Sequence, residues 1–330
     1  MVCLEEKLVD WLECAQRGVN EMERALQKIE NVLAEVEKAI YGKRQVVQLT
    51  TAALIAGGHV LFEDVPGVGK TQMVKALAKT VASDFSRIQF TPDLLPSDIL
   101  GVSIFNTRTD AFEFRQGPIF TDVLLADEIN RTTPRTQAAL LEAMSEKTVT
   151  IDGQTYPLSP HFFVLATQNP IDFEGTYPLP EAQLDRFLFK LNIGYPSLDD
   201  ELKLVLNQHQ QVSTIQQIIQ SDELTELKEL LATVYVDEGV AKYALALVQE
   251  SRNHSSIALG ISPRGSMAFI QGAKAYAMTE GRLFVTPEDI QTVLPHVFGH
   301  RIALQPFMEP QQLPIVLSQL LDQVPVPIRR

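Results

Sequence analysis

The sequence predicts an α/β fold in which a parallel sheet lies between helices, followed by a second, mostly helical domain. Three observations predict it. The stretch His59 to Thr71, HVLFEDVPGVGKT, reads as a short apolar strand (Val60, Leu61, Phe62) running into a glycine loop, with a helix-forming run, MVKALAKTVA, directly after it. Further strands of nearly continuous apolar character, at 122–126 and 162–166, alternate with helical stretches, the pattern of a parallel sheet covered on both faces. Beyond Pro196 the strands stop, and helical runs begin near Asp199, Asp222, Asp237, Ser262-Pro263 and Thr286-Pro287.

In chain order, residues 1–40 carry a helical period. Met22, Leu26, Ile29, Leu33, Val36 and Ile40 alternate steps of four and three, with a weaker continuation back through Trp11, Leu8 and Leu4. Such a seam suits a helix docked on the neighbouring core as well as it suits an assembly contact. Ile40-Tyr41-Gly42 breaks the pattern, and a second helix is expected over 43–56. A strand follows the glycine loop and its helix at 85–90. The segment 91–120 is irregular apart from a small hairpin through 102–106 and 111–115, turning at Thr109-Asp110. After the 122–126 strand, Thr133-Pro134 offers a capping hydroxyl and a proline at the first helical position of TQAALLEAMSE. A second hairpin turns tightly at Asp152-Gly153. The 162–166 strand then delivers Thr167-Gln168-Asn169-Pro170, and a last strand spans 188–193. The expected division is an N-terminal helical extension at 1–28, an α/β domain at 29–196 and a helical domain at 197–330.

The bulk properties narrow the function classes. With 45% hydrophobic and 21% charged residues, the 330-residue chain has the composition of an ordinary globular protein. Its net charge of −13 gives it no overall attraction to phosphate backbones, so no nucleic acid partner is expected. Cys3 and Cys14 would stand about 16 Å apart on a helix, too far for a bridge, and no metal-ligand spacing occurs. This usage fits the cytosol, and a cytoplasmic location is expected. The charged N-terminus is no signal peptide, and the apolar patch 46–56 is too short to span a bilayer.

The chemistry begins at the glycine loop. Gly67 and Gly69 allow backbone N–H groups to approach phosphate oxygens, and the positive helix end favours a polyanion. Lys70 can reach the β- and γ-phosphates, and the Thr71 hydroxyl can sit on Mg²⁺. Asp64 stands where the G-x-x-x-x-G-K-T pattern has its first glycine, and aspartate tolerates unusual turn geometry. At the end of the 122–126 strand, Asp127 can hold Mg²⁺ through water while Glu128 polarises an attacking water. Asn169 can orient that water or sense the γ-phosphate. Arg186 lies in EAQLDRF on an expected helix whose Leu184, Phe187 and Leu188 face the core. It points outward, either as a solvated charge or toward a neighbouring subunit's phosphates. Arg264 opens a helix in SPRGS, where the dipole disfavours a cation, which suggests an anionic partner.

In the strings VLFEDVPGVGKT, VLLADEINRTTPRTQAALLEAM, FVLATQNPIDFEGTYPLPEAQLDRF and SPRGSM, the chain resembles the MoxR family of AAA+ ATPases over about residues 29–330. The resemblance implies an AAA+ P-loop αβα sandwich with a C-terminal helical lid. It implies that Val65, Pro66, Gly67, Val68, Gly69, Lys70, Thr71 and Gln72 contact ATP, with Lys70 and Thr71 the Walker A pair. Asp127 and Glu128 would be the Walker B pair, with Thr71 and Asp127 serving Mg²⁺. Asn169 would be sensor 1, Arg186 the arginine finger acting in trans and Arg264 sensor 2, while Tyr41 and Gly42 belong to the stretch packing on adenine. The hairpins at 102–115 and 148–158 resemble insertions that face a central pore or a partner, and equally suit edge decoration. Such proteins form homo-oligomers, typically hexameric rings, and remodel or activate a client protein, often with a von Willebrand factor A domain partner. A nucleic-acid motor and a nucleotide-switched scaffold without turnover are the alternatives. The acidic charge and the absence of a basic run weigh against the first, and the intact Lys70, Asp127, Glu128 set against the second.

Overall fold

The computed structural model describes residues 20, 22–64, 67–169, 175–206 and 214–327. Cys3, Cys14, Leu4, Leu8 and Trp11, together with Val65 and Pro66 of the loop, lie outside the described residues. Helix α1 (residues 22–37) buries Ile29, Val32, Leu33 and Val36 in the main core, with Leu26 packed against it. Its apolar seam is therefore docked on the chain's own core. The helix runs unbroken across position 28, where a domain boundary was expected.

Helix α2 (Arg44–Ile55) leads into β1 (Val60–Glu63), the glycine loop, α3 (Lys70–Thr80) and β2 (Phe85–Gln89). A single turn, α4 (Pro96–Leu100), interrupts the segment expected to be irregular, with Asp98 accepting from the Leu95 N–H at its start. The hairpin β3 (Gly101–Asn106) and β4 (Ala111–Gln116) precedes β5 (Val123–Asp127) and α5 (Pro134–Glu146). A second hairpin, β6 (Thr148–Ile151) and β7 (Gln154–Pro157), leads to β8 (Phe163–Gln168), then α6 (Glu181–Leu184) and β9 (Phe189–Leu191).

The five longest-range strands form one parallel sheet in the order β2-β5-β8-β1-β9. Side chains alternate across it, as the pleat requires. Val60, Phe62, Val123, Leu125, Phe163 and Leu165 face α2 and α3 in one cluster, while Leu61, Leu124, Ala126, Val164 and Ala166 face α5 in the other. Burial of a side chain such as Phe62 or Phe163 is worth about 1.5–3 kcal/mol. Because both faces are covered at the centre of the sheet, β1, β5 and β8 are apolar along nearly their whole length, whereas the edge strand β2 carries Ser86, Arg87 and Gln89.

The helical half consists of α7 (Leu198–Val205), α8 (Ser221–Thr233), α9 (Glu238–Asn253), α10 (Pro263–Thr279), α11 (Pro287–Phe298) and α12 (Leu313–Gln323). Several starts carry side-chain caps: Ser197, Asp237, Ser262 and Thr286 accept from the backbone N–H groups of Asp200, Gly239, Gly265 and Asp289. The core on the α2 face continues into this half through Leu227, Leu247, Phe269 and Phe298. An all-helical second half is corrected in one respect: β10 (Ile257–Leu259) and β11 (Ala303–Leu304) pair as a short antiparallel ribbon. Its two- and three-residue strands are too short to show a period in sequence. Among the described residues, no helix is long and apolar enough to cross a membrane.

Candidate functional site

The carboxyl ends of β1, β5 and β8 lie side by side, and the loop after β1 turns over them. Together they enclose a cavity of about 360 Å³. Its floor is the loop. Gly67 and Gly69 have φ of 89° and 92°, the left-handed region that glycine enters freely, and Gly69 is the residue from which α3 starts. A Cβ at Gly67 would meet no atom within 4 Å, so the cradle is open. Gly69, Lys70, Thr71 and Gln72 line the cavity beside the positive end of α3, whereas Val68 packs against the core. Lys70 Nζ donates to the Asp64 carbonyl at 3.1 Å. Burial lowers the Lys70 pKa from its ordinary value, and the carboxylates of Asp64, Asp127 and Glu128 oppose that shift.

Asp64 is more than a tolerated departure from a glycine pattern. Its φ is not positive, and its buried carboxylate accepts from the backbone N–H groups of Ile193 and Gly194, the latter at 3.0 Å. The first residue of the loop thereby ties the end of the sheet region to the glycine-loop turn. A glycine there would leave both amides without that acceptor.

Asp127 and Glu128 line the opposite wall. The Thr167 hydroxyl donates to Asp127 Oδ1 at 2.6 Å and accepts from the Glu128 backbone N–H at 2.8 Å. Glu128 itself has φ 59° and ψ 48°, a left-handed conformation that a non-glycine residue adopts at a cost of about 1 kcal/mol or more. Arg87 Nη2 pairs with Asp127 Oδ2 at 2.6 Å, while Gln89 and Arg131 donate to Glu128 Oε2 at 2.7 and 2.9 Å. Asn169 also lines the cavity, and its backbone carbonyl accepts from Asn130 Nδ2 at 3.3 Å.

The fold thus brings Gly67, Gly69, Lys70, Thr71, Gln72, Asp127, Glu128 and Asn169 together. Arg87, Gln89 and Thr167 are the functional candidates the sequence reading missed. Alternation on β2 puts Arg87 and Gln89 on one face, a signal present in FSRIQF, but nothing local says that the face meets Asp127.

Other expected site residues stand apart. Neither Tyr41 nor Gly42 lines the cavity, although Ile40 beside them reaches within 3.6 Å of where a Cβ on Gly69 would be. Arg186 does not point outward. Helix α6 ends at Leu184, and Arg186 turns half-buried onto the last turns of α5, donating to the Leu141 carbonyl at 2.8 Å and to Ser145 Oγ. The negative end of α5 favours a cation there. Arg264 is exposed on the first turn of α10, and no ion pair joins it to any described residue. The anionic partner suggested for it is not found among them.

Comparison with known proteins adds to this geometry. The sequence profile of the ATPase family associated with various cellular activities (AAA) matches residues 59–189, and that of the AAA lid domain matches residues 249–319. The chain is 50% identical over 299 residues to the Bacillus subtilis protein YeaC, which covers 89% of this chain and 93% of that one. It is 39% identical over 329 residues to Chaperone MoxR1 of Mycobacterium tuberculosis, covering 96% of this chain and 86% of the other. Protein MoxR of Paracoccus denitrificans is 29% identical over 323 residues, covering 89% and 95%. A crystal structure of a Cytophaga hutchinsonii protein superposes with a TM-score of 0.86 at 38% identity, covering 95% of this chain and 99% of that one.

Proposed function

The chain belongs to the MoxR family of AAA+ ATPases, and from that premise we propose that it hydrolyses ATP with Mg²⁺ in a site completed by a neighbouring subunit. The observation that carries this reading is the single cavity onto which the glycine loop, Asp127, Glu128 and Asn169 all open. Its chemistry suits a triphosphate: open glycines, the N-terminal end of a helix and one inward lysine on one wall, carboxylates on the other.

In this reading the backbone from Val65 to Gln72 cradles the phosphates and Lys70 neutralises the β- and γ-oxygens. Thr71 and Asp127 would hold Mg²⁺, which when bound offsets phosphate charge. Glu128 takes the proton of the attacking water, and Asn169 orients that water. Thr167 holds the Asp127 carboxylate and the Glu128 backbone N–H through one hydroxyl. Arg186 acts on the neighbouring subunit's γ-phosphate after leaving its contacts on α5. Arg264 reaches the phosphates from the lid, and Tyr41 and Gly42 pack on adenine. The oligomer is a ring, expected to be hexameric, and works in the cytoplasm. Rotation of the helical lid (197–330) against the sheet domain is passed to a client protein, with a von Willebrand factor A domain partner as the expected adaptor. That a relative carries the name Chaperone MoxR1 supports this last step.

Phosphate release measured beside ATP retention tests the reading. Glu128→Gln is expected to bind ATP and hold it without turnover, and Lys70→Ala to bind it weakly. Near-normal hydrolysis by Glu128→Gln would remove Glu128 from the base role, and hydrolysis unaffected by chelating Mg²⁺ would remove the metal.

A further inference from the structure

Arg301 follows α11 in the helical half, yet most of its guanidinium contacts are with the sheet domain. The side chain is 3% exposed, and Nε donates to Asp185 Oδ1 at 2.6 Å. Nη2 donates to the carbonyls of Phe187 at 2.6 Å and Asp185 at 3.3 Å, and Nη1 to those of Leu188 at 3.2 Å and Val297 at 2.8 Å. Nη1 also lies 2.7 Å from His300 Nε2, and four of the six partner atoms belong to residues 185–188. Only a planar fork of five donors satisfies so many carbonyls at once, and a charged donor makes each bond stronger than a neutral one would.

The residue enclosed by this clamp is Arg186. Its backbone lies between two carbonyls held by Arg301, while its own side chain is held less firmly. Its Nη1 rests on Leu141 and Ser145, and its buried Nε has no partner among the described residues. Release of the side chain therefore breaks few bonds, and the backbone from which it swings stays fixed. At its other end the Arg301 stem crosses the first turn of α10. A Cβ on Gly265 would lie 3.2 Å from Arg301 Cδ, and Arg264 is the preceding residue. One side chain thus spans from the turn carrying Arg264 to the segment carrying Arg186.

We propose that Arg301 is a positioning residue for Arg186, setting from the lid the place at which Arg186 meets the neighbouring subunit's triphosphate. Lid position, and with it nucleotide state, is passed through the clamp to the next site around the ring. The proposal rests on Arg186 acting in trans. A purely structural latch between the two halves is the competing role, and it damages a subunit's own site.

Mixed oligomers separate the two. Glu128→Gln brings a usable Arg186 but a blocked site, and Arg186→Ala brings the reverse. Equimolar mixing of these two is expected to restore phosphate release above the sum of the separate preparations. Arg301→Lys keeps the charge but cannot reach four carbonyls together. It is expected to bind ATP within about twofold of wild type, to turn over at least about tenfold more slowly alone, and to recover when mixed with Glu128→Gln as Arg186→Ala does. Asp185→Asn, at the more exposed end of the pair, is expected to do the same with a smaller loss, and it decides the matter if Arg301→Lys does not fold. Recovery of Arg186→Ala without recovery of the clamp variants overturns the positioning role and leaves the trans reading standing. No recovery even of Arg186→Ala overturns the trans reading and this proposal with it.

Discussion

Thr167 does two things with one oxygen: it donates to the Asp127 carboxylate and accepts from the Glu128 N–H. Thr167→Val keeps the shape, removes both bonds and leaves a part-buried amide unpaired, a loss of about 1–3 kcal/mol. We expect a lower urea midpoint together with slower ATP turnover; unchanged turnover would mean that neither the Asp127 carboxylate nor the Glu128 backbone needs the hydroxyl. Asp64 makes the opposite point about patterns. Restoring the glycine of the familiar loop by Asp64→Gly is expected to destabilise the protein by about 1–3 kcal/mol, because the Ile193 and Gly194 amides lose their acceptor. Equal or greater stability in urea would contradict this. The candidate site was legible in sequence where residues adjacent in the chain act together, as in Gly67–Thr71 and Asp127-Glu128. It was not legible where partners come from different strands, as Arg87 does to Asp127 across forty residues.

Among the elements, α10 packs closely on the sheet domain at Gly272. A Cβ there would lie 2.8 Å from Cε1 and 3.0 Å from Cζ of Phe189 on β9. Gly272→Ala gains about 1 kcal/mol of helix propensity, but overpacking against a fully buried ring costs about 1–3 kcal/mol. The second effect wins, and the variant should unfold at lower denaturant than wild type. A more stable variant would show that α10 and β9 have slack between them. Most elements could be read from the sequence because their signals are local. The apolar runs of β1, β5 and β8 and the Ser262-Pro263 and Thr286-Pro287 helix starts are such cases. The β10–β11 ribbon has too few residues for a period, and α6 stops early because the chain must extend into β9. The extent of α1 across position 28 likewise follows from packing on a core that the local pattern does not name.

At the scale of the whole molecule, acid should loosen the structure before its carboxylates are all protonated. His59 is fully buried at the start of β1, its Nδ1 accepting from the Val164 N–H at 3.0 Å, which requires the neutral ring. Burial, with Lys147 and Lys228 adding to it, pushes its pKa down to about 4, and burial moves His300 in the same direction. The unfolded chain therefore binds more protons than the native one between about pH 6.5 and 4, so stability is full above that window and falls through it. His59 alone accounts for roughly 3 kcal/mol over the window. Denaturant midpoints measured from pH 7 to 4 should fall, and fall less in His59→Asn; a pH-independent midpoint would contradict the buried neutral ring. The larger claim is that a triphosphate held by one subunit is hydrolysed with an arginine from the next, a contribution on the order of 10³–10⁵ in rate elsewhere in phosphoryl transfer. The direct measurement is turnover per subunit against protein concentration, with sedimentation run on the same samples. The rate should climb with the oligomer population, and Arg186→Ala should stay near the floor while still binding ATP. Full turnover by dilute monomer, indifferent to Arg186→Ala, would contradict it.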